Sequence, residues 1–203
     1  MGEEHGMDVG NEPGLRRTVA LVAVANLAWF VVEFTVASAI GSVSLFADSA
    51  DFLEDASLNL LVLLGLGWSP RDRARLGLGL SALLLAPGFA TVWTAWVRFS
   101  SPGAPEPAAL GLTGLGALAI NFGCAMALAR RRHHAGSLTR AAFLSARNDV
   151  VASLAIIAAG AATAVTHLRW WDLGVGLGIG AMNTDAARTV WRAARLEGRA
   201  AAP

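Results

Sequence analysis

Four carboxylates, Asp48, Asp51, Glu54 and Asp55, occupy the first half of a segment, Val43–Gly65, that is otherwise apolar and long enough to cross a bilayer. An ionised side chain near the centre of a membrane costs ~2.5–3.5 kcal/mol or more on insertion scales, so acids kept there mark an ion or proton pathway. On a helix advancing ~100° per residue, Ser44, Asp48, Asp51, Asp55 and Asn59 fall within an arc of ~80° and form one polar stripe. Glu54 projects roughly 100° from Asp55 and is assigned to another contact. Such a stripe cannot face lipid; it must face other helices or a water-filled cavity.

A second group, Ser145, Asn148 and Asp149, lies in the SARND run, where Ser145 and Asp149 share a helix face at i, i+4 spacing. Depth gives a consistency test. With ~1.5 Å of rise per residue across a ~30 Å hydrocarbon core, Asp55 lies ~18 Å below the outer face and Asp149 ~17 Å below it. Asp51, Asp55 and Asp149, with Ser145 or Asn148 beside them, therefore offer enough oxygen to coordinate a divalent cation. Asp48 and Glu33 are accessory candidates, and Asp48 is placed on the outer approach. The structural alternative is that the acids are held by salt bridges. Arg147 is the cation to weigh; it points away from Asp149, and Asp185 or Glu54 suits it better.

The elements that must carry these residues follow from composition. The 203 residues are 55% hydrophobic and 15% charged, with a mean hydropathy of +0.52, a balance that excludes an ordinary soluble domain. Apolar runs at 17–38, 43–66, 76–98, 107–129, 141–165 and 172–193 predict an all-α membrane protein of six transmembrane helices. Residues 1–16 read as a disordered cytoplasmic tail, 17–193 as the transport domain and 194–203 as a short tail. The first fourteen residues lack a signal-peptide pattern and, with Gly6 where Ser or Thr belongs, a myristoylation signal. His5 is read as part of the solvated tail.

Every basic residue is Arg. Arg16 and Arg17, then Arg71, Arg73 and Arg75, then Arg130–Arg132 and Arg140, then Arg192, Arg195 and Arg199 fall on one side of the six spans, so both termini are expected in the cytoplasm. The setting implied is a multi-pass protein of a bacterial plasma or inner membrane. The net charge of +1 is divided by the membrane and implies no nucleic-acid partner. Arg130–His134 reads as topogenic, His133 and His134 as a solvated pair, and Cys124 as a lone thiol in span four. Trp93, Trp96, Trp170 and Trp171 suit interfacial anchoring.

These residues resemble the cation diffusion facilitators, which export zinc and similar divalent ions in exchange for protons. Glu33, Gly41-Ser42, Leu45, Ala47-Asp48 and Asp51-x-x-x-Asp55 are similar to the end of that family's helix one and its helix-two signature. SPRDRARLG resembles the following cytoplasmic loop, and Trp171-Asp172 the start of helix six. The resemblance implies a secondary transporter, not an enzyme, with no resident cofactor. Its cargo would be zinc first, then manganese, cobalt, iron or cadmium.

Two departures matter. Helix five of the family carries His-x-x-x-Asp, whereas Ser145 stands here in place of the histidine. Three carboxylates and a weak oxygen ligand favour harder ions, while zinc stays compatible with Asp ligands. Histidine titrates near physiological pH, so its loss also bears on proton coupling. The chain further looks like the truncated type without a cytoplasmic C-terminal domain, which would leave any homodimer to the membrane helices. Glycines 77, 79, 174, 176, 178 and 180 suit such a seam or packing within one protomer. Two rivals remain: a metal-dependent membrane enzyme acting on lipid alcohols, whose upstream Asp-Gly and Ala-Arg element is absent here, and a non-transporting assembly partner.

Overall fold

The computed structural model of the chain describes residues 13–65, 85–100, 103–130 and 137–182, with a few positions between 72 and 82. Six helices run through them: α1 (Pro13–Ile40), α2 (Val43–Gly65), α3 (Leu85–Ser100), α4 (Pro107–Ala129), α5 (Ser137–Thr166) and α6 (170–182). No strand occurs among the described residues. Pro13 opens α1, a position where its missing N–H costs nothing. The helix therefore begins ahead of the tail boundary expected at residue 16. Likewise α5 starts at Ser137, a turn before the expected 141, and much of spans three and six lies outside the described residues. Glu106 caps α4, its carboxylate accepting from the Ala108 and Ala109 amides.

The segments Arg16–Ile40, Pro107–Ala129 and Asp149–Thr166 are long and apolar enough to span a bilayer. Exposure is inverted relative to a water-soluble protein. Leu21, Val24, Trp96, Leu112, Val151 and Val165 face outward, while Asn26, Glu33, Asp48, Ser49, Asn121, Ser153 and Asp172 are buried. Polar atoms turned inward and large apolar ones turned outward are what a hydrocarbon solvent demands. The chain is an all-α integral membrane protein. The principal helix pairs are α1 with α2 and α4 with α5; α1 also meets α4, and α2 meets α3 and α5.

The helices are tied at the end carrying the α1–α2, α3–α4 and α5–α6 connections. Gly41 ends α1 at φ +62, and Ser42 N–H reaches back to the Ala37 carbonyl, closing the helix with a left-handed residue. A Cβ at Gly41 would also strike the Arg98 guanidinium. That guanidinium donates to the carbonyls of Ile40, Gly41 and Gly103, so α3 supplies the cation that caps α1. Arg169 donates to the Phe99 carbonyl and lies 4.7 Å over the Trp170 ring. Trp171 Nε1 donates to Thr166 Oγ1 at 2.9 Å, and all four tryptophans named above are exposed.

Asp172, at the start of α6, does the same for α2. Its Oδ1 accepts from Ser42 Oγ at 2.6 Å, Ser44 Oγ at 2.6 Å and Ser44 N–H at 3.1 Å, and its Oδ2 accepts from Val43 N–H at 2.8 Å. A buried carboxylate thus neutralises the positive end of α2 with four bonds. Gly176 makes this contact feasible, since a Cβ there would sit 2.6 Å from the Ser44 nitrogen. Gly174 and Gly178 face open space. Asp172→Ala orphans all four donors and should cost about 3 kcal/mol, read as a fall in Tm of the purified protein in detergent. Asp172→Asn keeps one acceptor oxygen and should lose roughly half of that.

Candidate metal centre

The α2 stripe is turned into the bundle as its spacing requires. Ser44, Asp48 and Asn59 are buried, and Asp51 and Asp55 are half-buried. Two side-chain interactions build this stripe's surroundings from neighbouring helices. Glu33 of α1 and Asp48 of α2, both wholly buried, meet carboxyl to carboxyl, and among the described residues none of their four oxygens receives a bond from any other group. Asp55 of α2 and Asp149 of α5 also meet carboxyl to carboxyl. Asp51 lies between Asp48 and Asp55 along α2, with Asp149, Asp48, Glu54 and Asp55 all within electrostatic reach.

Asp55 and Asp149 are thus neighbours on antiparallel α2 and α5, with Asp51 one turn away along α2. Among the described residues, however, no three Asp, Glu, His or Cys side chains close on a common point at metal-ligand spacing. The acids are arranged as two facing pairs with Asp51 within reach of both. Ser145 and Asn148 belong to α5, but their side chains lie outside the described residues, as do those of Arg147, Asp185, His5, His133 and His134.

Two expectations are corrected. Glu54 does not leave the cluster: it is half-buried and within electrostatic reach of Asp51, Asp55 and Asp149. Asp48 does not line an outer approach. It has no exposed surface and faces Glu33, because α1 packs across that part of the stripe.

Further polar groups surround the acids. Asn121 of α4 donates to Ser153 Oγ of α5 at 3.2 Å, and Ser153 Oγ donates to the Asp149 carbonyl at 2.9 Å, which ties the Asp149 turn to α4. Cys124 is a free, buried thiol on α4, within electrostatic reach of Asp55 and Asp149. Asn26 of α1 is 1% exposed, and among the described residues neither of its amide atoms has a partner. None of Asn26, Asn121 and Ser153 stood out in the sequence, since an isolated amide or hydroxyl in an apolar run carries no period of its own. The Asn26–Glu33 spacing of i, i+7, which repeats one helix face, was the available signal.

A bundle with its acids turned inward at the level of Asp55 and Asp149 is the setting in which the sequence comparison becomes decisive. Residues 19–196 match the Cation efflux transmembrane domain. The chain belongs to the cation efflux family. The match takes in all six helices, so the acids of α2 and α5 fall inside the family's transport domain. Comparison with curated proteins gives no match. Membership of the cation efflux family makes the protein a membrane transporter of cations.

Proposed function

We propose that the protein exports a divalent metal ion from the cytoplasm in exchange for protons, by alternating access, with Asp51, Asp55 and Asp149 as the principal ligands. Zinc is the first candidate, with manganese, cobalt, iron and cadmium next. The observation that carries this reading is the meeting of Asp55 and Asp149 across two helices inside the bundle of a cation efflux protein. A metal ion needs both deprotonated, so binding expels protons and protonation expels metal. That competition is the chemistry of an antiporter.

Loading then requires α2 and α5 to move relative to one another until Asp51 joins the Asp55–Asp149 pair. Ser145 or Asn148, on the same turns of α5 as Asp149, would complete the oxygen set. Arg clusters near the ends of α1 and α4 support cytoplasmic termini in a bacterial plasma or inner membrane. The metal enters from that side and leaves beside the tied end. A homodimer through membrane helices is compatible with the exposed faces of α3 and α6.

The exchange is tested in proteoliposomes. With an acid lumen, outward proton flow should drive external zinc or manganese inward and raise initial uptake, and collapse of the gradient with an ionophore should abolish the increase. Uptake insensitive to the gradient contradicts proton exchange. A lipid-alcohol transferase would instead show metal-dependent product formation from a nucleotide-activated lipid alcohol. An assembly partner would show no thermal shift with metal.

A further inference from the structure

Two contacts set the register of α1 against α2. Phe34 meets Phe46 edge to face at 5.3 Å, and Glu33 meets Asp48. In an antiparallel pair, moving back along α1 matches moving forward along α2. Seven residues back from Glu33 is Asn26, and seven on from Asp48 is Asp55. Seven residues make two turns and restore the same face, so Asn26 lies level with Asp55 on the face that α1 turns toward α2. A third helix gives the same placement. Val22, one turn from Asn26, packs with Cys124 and Leu128 of α4, and Cys124 is within electrostatic reach of both Asp55 and Asp149.

An amide that is 1% exposed, with neither Oδ1 nor Nδ2 partnered among the described residues, is an exception in a folded protein and calls for a ligand. The carboxylate and hydroxyl side chains of α1 are engaged elsewhere: Glu33 meets Asp48 two turns away, and Thr18, Thr35 and Ser38 each donate to a carbonyl of their own helix. We propose that Asn26 is a cation-binding residue, and that α1 thereby supplies a neutral oxygen, Oδ1, to the ion held by Asp51, Asp55 and Asp149. The inference rests on the metal site argued above and deepens it. A neutral ligand raises the coordination number without adding to the repulsion among the carboxylates. An amide carbonyl is a hard oxygen, so its contribution is larger for manganese than for zinc. Asn26 would then be a determinant of which metal is carried.

The test is calorimetric titration of the purified full-length protein in detergent with manganese chloride and, separately, zinc chloride. Asn26→Leu matches the side chain in size and removes both amide atoms. It should weaken manganese binding about tenfold, weaken zinc binding less, and leave Tm equal or higher, since a structural amide replaced by an apolar isostere costs nothing. Asn26→Asp restores a hard oxygen and adds charge; it should bind manganese at least about threefold more tightly than wild type, and it answers the question even where the leucine variant does not fold. Asp55→Asn is run in parallel. If Asn26→Leu and Asn26→Asp bind both ions as wild type does while Asp55→Asn loses them, the role of Asn26 is overturned and the α2–α5 site stands. If Asp55→Asn itself binds normally, the site is overturned and the inference with it.

Discussion

Asp55→Ala and Asp149→Ala should each reduce metal transport in proteoliposomes at least about 100-fold, to the level of empty vesicles, because even groups that merely orient ligands cost 10–100-fold when removed. The two losses should be equal in kind. Asp55 and Asp149 meet across the bundle, one on α2 and one on α5, so deleting either leaves the other facing a gap with no second carboxylate opposite. Neither residue takes part in the ties at the far end of the bundle, which are made by Asp172, Arg98 and Arg169. The variants should therefore fold, and their melting curves should separate loss of the site from loss of the protein. Transport at wild-type rates by either would remove that residue from the site.

Ser145→His should change which metal is carried. The position lies one turn before Asp149 on α5, and the relatives that this sequence resembles place a histidine there. A neutral imidazole is a softer ligand than a hydroxyl and binds zinc with a directional lone pair, whereas manganese gains little from it. The ratio of zinc to manganese transport should rise about tenfold or more. The new ligand must be deprotonated to bind, so zinc transport by the variant should also fall as the pH drops through the range where histidine titrates. An unchanged ratio would show that position 145 does not contact the ion.

The spacing of acids along α2 was enough to place Ser44, Asp48, Asp51, Asp55 and Asn59 on one inward face, because a helical period fixes angles. Depth was equally legible: rise per residue put Asp55 and Asp149 at one level, and their carboxyl groups meet. Which helix covers each part of a stripe is a matter of tertiary packing, and a single sequence does not contain it. That is why Asp48 was assigned to an open approach when α1 brings Glu33 against it. Glu54, assigned to another contact by its angle, is half-buried and stays within electrostatic reach of Asp55. The Asp172 cap illustrates a third limit. Its four donors are 128 to 130 residues away in sequence, and only folding reveals that an acid at the start of α6 holds the start of α2.

The tied end has a mechanical consequence for the site. α1 is capped from α3, and α2 from α6. Asp55 and Asp149 lie away from these caps, on the seam between α2 and α5. Movement there changes the spacing of the carboxylates without breaking the ties that fix the helices' ends.

The most direct test of the α2–α5 site is anomalous scattering from crystals of the full-length protein grown with manganese, collected either side of the metal edge. One peak is expected inside the bundle, ~2.0–2.2 Å from carboxylate oxygens of Asp55 and Asp149 and in contact with Asp51. A peak confined to the Glu33–Asp48 pair, or metal found only at the bundle's surface, would contradict the account.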